Sequence, residues 1–408
     1  MTEQGRMPSS LNRRSALAFA APAPAVRNLF RAALVIFVIT VVIGILNGTD
    51  IWDPPRSALL THVHAGTLGW ITLSVMGAAI WMFAGGRAGD GSTLANYSIV
   101  AVALYVVAFW TGTGVYRPIA GTLAFIAFAW LLWWVARAAG GGGMTVPKLG
   151  VLLALVSLFI GAVLGVSLGL HLAEVDLFSA EVGQRLAEAH PGTMVIGFVI
   201  LAGLGIAEWL LRGGSGRPLR EEKAGIVQVA LFFLAGVLII IGILTAVDEL
   251  AQVGGSLQVV GLFVFLPRVF KDLAPSRWTE SIHGLFARFA VVGLVISVAL
   301  VVVVIMEFTS GADFEEFVHV LLAYDHNNFI LVMTNIILGL MAASSSVSDT
   351  TNRWLVALVN VGAAGFVIGL LTESSVVKRI FTPILGVALL WAIWTYLTSS
   401  PRREMAEA

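Results

Sequence analysis

Long apolar runs, each broken by a short polar or glycine-rich stretch, follow one another along almost the whole chain. A helix needs about 20 apolar residues to cross the hydrocarbon of a bilayer. Runs of that kind stand at about 28–47, 60–84, 94–112, 117–138, 148–171, 187–211, 224–246, 251–270, 284–307, 318–343, 354–372 and 380–398. The pattern predicts about twelve membrane-spanning helices and leaves no stretch for a water-soluble domain between them. The expected fold is therefore an all-α integral membrane protein: one transmembrane domain over 28–400, with tails at 1–27 and 401–408.

The polar positions inside these runs recur. His64 opens His-Ala-Gly-Thr early in the second helix and His190 opens His-Pro-Gly-Thr near the start of the sixth, with His326 near the start of the tenth. Thr111, Thr245 and Thr372 close the third, seventh and eleventh helices, and Gly121, Gly255 and Gly386 stand early in the next ones. Glycine and threonine recur in membrane helices for packing reasons alone. The near-equal separations of the histidines favour repetition instead, and predict three pseudo-symmetric four-helix repeats over about 28–138, 148–270 and 284–398.

Composition agrees with lipid as the solvent: 58% of the 408 residues are hydrophobic and 12% charged. A chain of this kind contacts membrane lipid, and nothing in it suggests a nucleic-acid partner. Orientation comes from the 24 lysines and arginines. With the amino terminus in the cytoplasm, 18 of them fall on cytoplasmic segments. These include Arg6, Arg13, Arg14, Arg87, Arg402 and Arg403. The outer segments hold only Arg56, Arg117, Arg185, Lys378 and Arg379, and Arg288 lies inside a helix. Cytoplasmic loops retain cations, so both termini are expected in the cytoplasm and the protein in the plasma membrane. The outer loops are acidic, as at Asp50 to Asp53, Glu174 to Glu181 and Asp313 to Glu316. Arg13-Arg14 resembles an export signal, but the apolar stretch after it is short and broken by Pro22 and Pro24, so a cytoplasmic tail is expected there.

The candidate chemistry lies with the histidines. His62, His64, His171, His190, His319 and His326 are all placed toward the outer side, and only His283 toward the cytoplasm. An ionisable group within a membrane is costly and by default a functional hypothesis. A lone one is as readily a hydrogen bond between helices, but three at matched repeat positions point to ligation. Imidazole is a common axial ligand of haem iron, whereas a bare zinc or copper ion asks for three or four converging ligands. His64, His190 and His326 are the first candidates, with His62 beside them. His62 and His64 are two residues apart, so their side chains point about 200° apart on a helix and cannot face one iron. One could serve a haem toward the tenth helix and the other a second centre toward the sixth. Haem propionates need cations near water, and Lys378, Arg379 and Arg117 are the outer cations suited to them. The chain has no cysteine, which excludes disulfides, thiolate ligands, iron-sulfur clusters and covalent haem attachment, so b-type haem, one or two, is the cofactor expected. Glu208 and Arg288, both toward the inner side, are expected to neutralise one another.

On these features the chain resembles subunit I of the haem-copper oxidases: twelve helices in threefold pseudo-symmetry, histidines on helices two, six and ten, and a basic pair before helix twelve. The resemblance implies a haem between a helix-two histidine, His64 or His62, and His326. It implies a copper ligand at His190-Pro191 and propionate contacts from Lys378 and Arg379. It also implies electron transfer from a periplasmic cytochrome or a quinol, oxygen or nitric oxide as the bound gas, and room for accessory subunits. The departures are specific. Helix seven lacks the histidine pair that completes the family's copper site, helix ten lacks the paired histidines spaced by one residue, and no tyrosine stands near His190 in the sequence. The inner halves offer only scattered polar groups, Thr72, Ser74, Glu208, Asn335 and Asn360, for a proton path. The His-x-His of helix two is similar to that of the NnrS-type proteins of nitric oxide response. The other functional class the sequence admits is a secondary transporter, which would use two related halves and a midplane site.

Overall fold

The computed structural model describes residues 19, 21–84, 91–112, 114–141, 143–175, 177–311 and 314–401. Arg6, Arg13, Arg14, Arg87, Asp313, Arg402 and Arg403 of the expected topology lie outside these residues, as do 402–408 of the carboxyl-terminal tail. Among the described residues the chain is helical, and twelve helices are long and apolar enough to cross a membrane. They are α1 (Pro24–Gly48), α2 (Arg56–Met82), α3 (Ser92–Thr111), α4 (Tyr116–Ala139), α5 (Val146–Leu172), α6 (Ala180–Leu211), α7 (Lys223–Thr245), α8 (Asp248–Asp272), α9 (Ile282–Glu307), α10 (Glu315–Ser344), α11 (Asp349–Leu371) and α12 (Ser375–Thr398).

Local chemistry sets several of the ends. Proline stands at the start of α1 and α5, where its missing N–H costs nothing. Ser179, Ser281, Ser348 and Ser374 accept hydrogen bonds from the first turns of α6, α9, α11 and α12. The first helix begins four residues inside the expected tail, and α2, α6 and α10 each reach several residues further outward than their apolar runs.

Burial sorts the helices into two shells. The most apolar windows of α2, α6 and α10 are 78, 89 and 83% buried, against at most 50% for the other nine. Three helices thus form a central column and nine surround it, turning apolar residues such as Val107, Phe263, Val387 and Trp394 outward to where lipid would lie. Lipid tails are as apolar as leucine, so close packing has to hold the column. Glycine permits it: a Cβ at Gly205 of α6 would lie 2.8 Å from Pro147 O of α5, and one at Gly236 of α7 would lie 3.2 Å from Gly197 Cα of α6.

Each column helix contains a π-helical segment: Ala65–Thr72 in α2, Thr193–Val199 in α6 and Asn327–Thr334 in α10. Such segments are rare and are found most often at functional sites. The segments of α2 and α6 both pack on that of α10. The Trp70 indole of α2 donates to Thr334 Oγ1 of α10 at 3.0 Å, and Phe37 of α1 stacks on Trp70 with ring centroids 4.3 Å apart. On the side where the even-numbered helices begin, which is the predicted outer side, the column helices part and leave a cavity.

At the opposite end Glu208, 1% exposed, is held by Arg268 at 2.6 Å and Arg212 at 3.0 Å. Glu222 bridges the same two arginines, and Gln228 accepts from Arg268. The expected Glu208–Arg288 pair is therefore corrected. Arg288 projects elsewhere and donates its Nε to Asp272 O at 2.8 Å, because Arg212, one helical turn from Glu208, and Arg268 of α8 already saturate the carboxylate.

Candidate functional site

The cavity between the outer halves of α2, α6 and α10 has a volume of about 740 Å³, within the range of pockets that hold cofactors. His62, His64, His190 and His326 all line it. The other three histidines do not: His171 packs against Gly183 at the α5–α6 end, His283 stacks edge-on with Phe19 on the opposite side, and His319 lies on α10 away from the cavity. The His190 position also differs from expectation. It stands ten residues into α6 instead of at its start, since the polar turns 180–189 are helical too.

One feature is common to the four cavity imidazoles. His62 Nδ1 donates to Thr40 O of α1 at 2.9 Å, His64 Nδ1 to Leu60 O at 2.7 Å, His190 Nδ1 to Gly161 O of α5 at 2.9 Å, and His326 Nδ1 to Leu322 O at 2.7 Å. A carbonyl oxygen only accepts, so each Nδ1 carries the proton and each Nε2 keeps its lone pair. Among the described residues no Nε2 of the four has a hydrogen-bond partner. Ligating histidines are oriented in this way by a bond to the second nitrogen. Thr40 also returns a bond, from its Oγ1 to His62 O at 3.1 Å, which ties α1 to that turn of α2.

The neighbours divide the four into two pairs. His62 is flanked by Thr40 and Gly44 of α1, and His326 by Phe366 of α11, with ring centroids 5.1 Å apart. His64 stacks on Phe109 of α3 at 3.9 Å and meets Tyr105 edge-on at 5.4 Å, while His190 lies against Gly161 and Gly165 of α5. Among the described residues no three His, Asp or Glu side chains come together as ligands of a single ion.

The charges around the mouth run against ordinary helix electrostatics. An α-helix favours carboxylates in its first turn, and Glu181, Asp248, Glu249, Glu315 and Glu316 occupy the first turns of α6, α8 and α10. The other three helices that begin on this side, α2, α4 and α12, have no acid there. They carry Arg56, Arg117 and Lys378 in the first turn instead, and all three line the cavity. Arg117 is the most constrained. Its guanidinium lies 4.9 Å from the Phe109 ring centroid, its Nη2 donates to Phe109 O, and its Nε is buried without a partner. Lys378 lines the cavity, whereas Arg379 does not reach it and donates to Asp50 at 2.8 Å on the exposed rim.

Sequence reasoning missed Arg56, Tyr105, Phe109, Trp70 and Thr40. Only Arg56 had a signal, as a cation opening a helix on the side that avoids them. No protein-family model matches the chain, and no curated protein sequence does.

Proposed function

We propose that this chain is a membrane haem protein that transfers electrons through the cavity on the outer side of the plasma membrane, with both termini in the cytoplasm. The observation that carries the reading is the common posture of four imidazoles, each fixed through Nδ1 to a carbonyl and each left with a free Nε2 on the wall of one cavity. Two-imidazole sites suit an iron that brings four in-plane nitrogens of its own, and not a bare ion that needs three or four protein ligands. The apolar walls, with Phe37, Trp70 and Leu389 among them, suit a flat macrocycle. Arg56, Arg117 and Lys378, held in helix first turns against the dipole, suit its propionates.

In this reading His62 of α2 and His326 of α10 would hold the haem iron. Thr40 O orients the His62 ring and Leu322 O that of His326, which leaves each Nε2 unbonded. Haem, when bound, supplies a one-electron iron couple. Trp70 and Phe37, stacked on one another, give the site apolar aromatic lining. The donor class is a periplasmic cytochrome or a quinol, and oxygen or nitric oxide is the gas that an open iron position would take. Copper would find His190 and no helix-seven histidine.

The same reading includes three four-helix repeats. In their support, the π segments start one, three and one residues after His64, His190 and His326. Thr72 and Thr334, each eight residues past its histidine, both donate to the carbonyl five residues back.

The test is a reduced-minus-oxidised spectrum of the purified protein expressed with haem supplied. A Soret band with sharp α bands is expected, and His326→Ala should remove the low-spin signal of the His62–His326 centre. A colourless protein refutes the reading.

A further inference from the structure

We infer that the cavity holds two haem centres, the second ligated by His64 of α2 and His190 of α6. This rests on reading the cavity as a haem site and goes beyond it in assigning a helix-two to helix-six centre.

The first step is angular. His62 and His64 are two residues apart on one helix turn, so their rings diverge by about 200°. If the His62–His326 pair holds one iron, His64 is turned away from it. It stacks instead on Phe109 of α3, on the flank of the cavity where His190 is held by Gly161 O of α5.

The second step is the chemistry of that pair. A histidine kept only for packing between helices gains by bonding through both nitrogens, since a polar atom left unsatisfied in an apolar interior is costly. Here each ring is anchored by one nitrogen, to Leu60 O and Gly161 O, and leaves the other on the cavity wall. The pair therefore matches His62 and His326 in the one respect that defines a ligand.

The third step is the housing. The His62–His326 pair is bounded by α1 and α11, and the His64–His190 pair by α3 and α5. Gly165 of α5 makes the room for His190: a Cβ there would lie 2.7 Å from its Cε1. Arg117, with its buried, unpartnered Nε, sits over Phe109, the ring on which His64 stacks. The second lobe thus has its own cation beside it, as Lys378 of α12 is available to the first. A bare metal ion at His64 and His190 would lack a third protein ligand, because among the described residues no such group forms.

The experiment is haem counting on the purified full-length protein by the pyridine haemochrome method, with near-infrared magnetic circular dichroism to identify bis-imidazole iron. The wild type should bind two haems per chain, and His326→Ala and His190→Ala should each retain one. His190→Ala should keep the bis-imidazole signal of the His62–His326 pair, and the double variant should bind none. Gly165→Ala serves as a second probe of the same lobe, should His190→Ala fail to fold, and should also retain one haem. A wild type with a single haem that His190→Ala leaves intact overturns the second centre and spares the first. A protein that binds no haem overturns both.

Discussion

Gly165→Ala offers a test of the site that does not depend on any cofactor. The added methyl would stand 2.7 Å from His190 Cε1 and 3.0 Å from its Nδ1, where carbon atoms at optimal separation are about 3.5–4.0 Å apart. The ring has to retreat by about 1 Å, and the backbone of α5 cannot yield much because Gly150, further along it, packs on Gly205 of α6. Overpacking of this kind costs about 1–3 kcal/mol. Retreat also stretches the 2.9 Å bond from His190 Nδ1 to Gly161 O, worth about 0.5–1.5 kcal/mol. The combined destabilisation is about 2–4 kcal/mol, partly offset by the helix preference for alanine over glycine, about 1 kcal/mol. The assay is a double-mutant cycle followed by unfolding in mixed micelles. Alone, Gly165→Ala should destabilise; in a His190→Ala background, with the ring gone, it should be neutral or stabilising. A penalty that persists unchanged without the imidazole would show that Gly165 is not there to seat His190.

Glu208→Gln should destabilise by about 3–5 kcal/mol, since it leaves Arg268 and Arg212 short of a buried counter-charge; equal unfolding midpoints for variant and wild type would contradict this. Arg117→Met and Lys378→Met remove positive charge beside the cavity, which disfavours the electron-rich reduced state, so spectroelectrochemical titration should find lower midpoint potentials; an upward shift would contradict the propionate assignment. Trp70→Phe keeps an aromatic side chain but deletes the hydrogen bond to Thr334 and part of the buried indole, so it should cost at least about 1 kcal/mol in the same micelle assay, and a full wild-type stability would contradict this. Because the chain lacks cysteine, single cysteines at Glu249 and Glu316 should react with a membrane-impermeant maleimide on intact cells, whereas one at Lys223 should not; the reverse pattern inverts the topology.

The twelve spans were legible because hydropathy over about 20 residues is a strong signal. What it could not mark were the outward ends of α2, α6 and α10. Arg56 to Thr61 and Ala180 to Ala189 are helical but carry Arg56, Glu181, Gln184, Arg185 and Glu188, so an apolar run ends short of them. Four of the candidate histidines line one cavity because each stands in the half of its central helix that begins on the same side. Their pairing was not readable, because it depends on which neighbours flank each lobe. The π segments have no periodic signature of their own. The fate of Arg379 and the partner of Glu208 were likewise set by tertiary neighbours, Asp50 across 329 residues in one case and Arg268 across 60 in the other.

The floor of the cavity has a consequence for energetics. Phe37, Trp70 and residues of the three π segments line it on the side toward the bilayer midplane, and in the proposed reading the four imidazoles exchange electrons with the outer face. An electron delivered from that face, and any proton that follows it there, would complete its circuit without traversing the low-dielectric slab. Moving one elementary charge across the whole membrane involves about 2.3 kcal/mol per 100 mV, and a centre in the outer half would draw on only the fraction of that work between it and the outer face. In the proposed reading, electron exchange at this centre would therefore couple weakly to the membrane voltage.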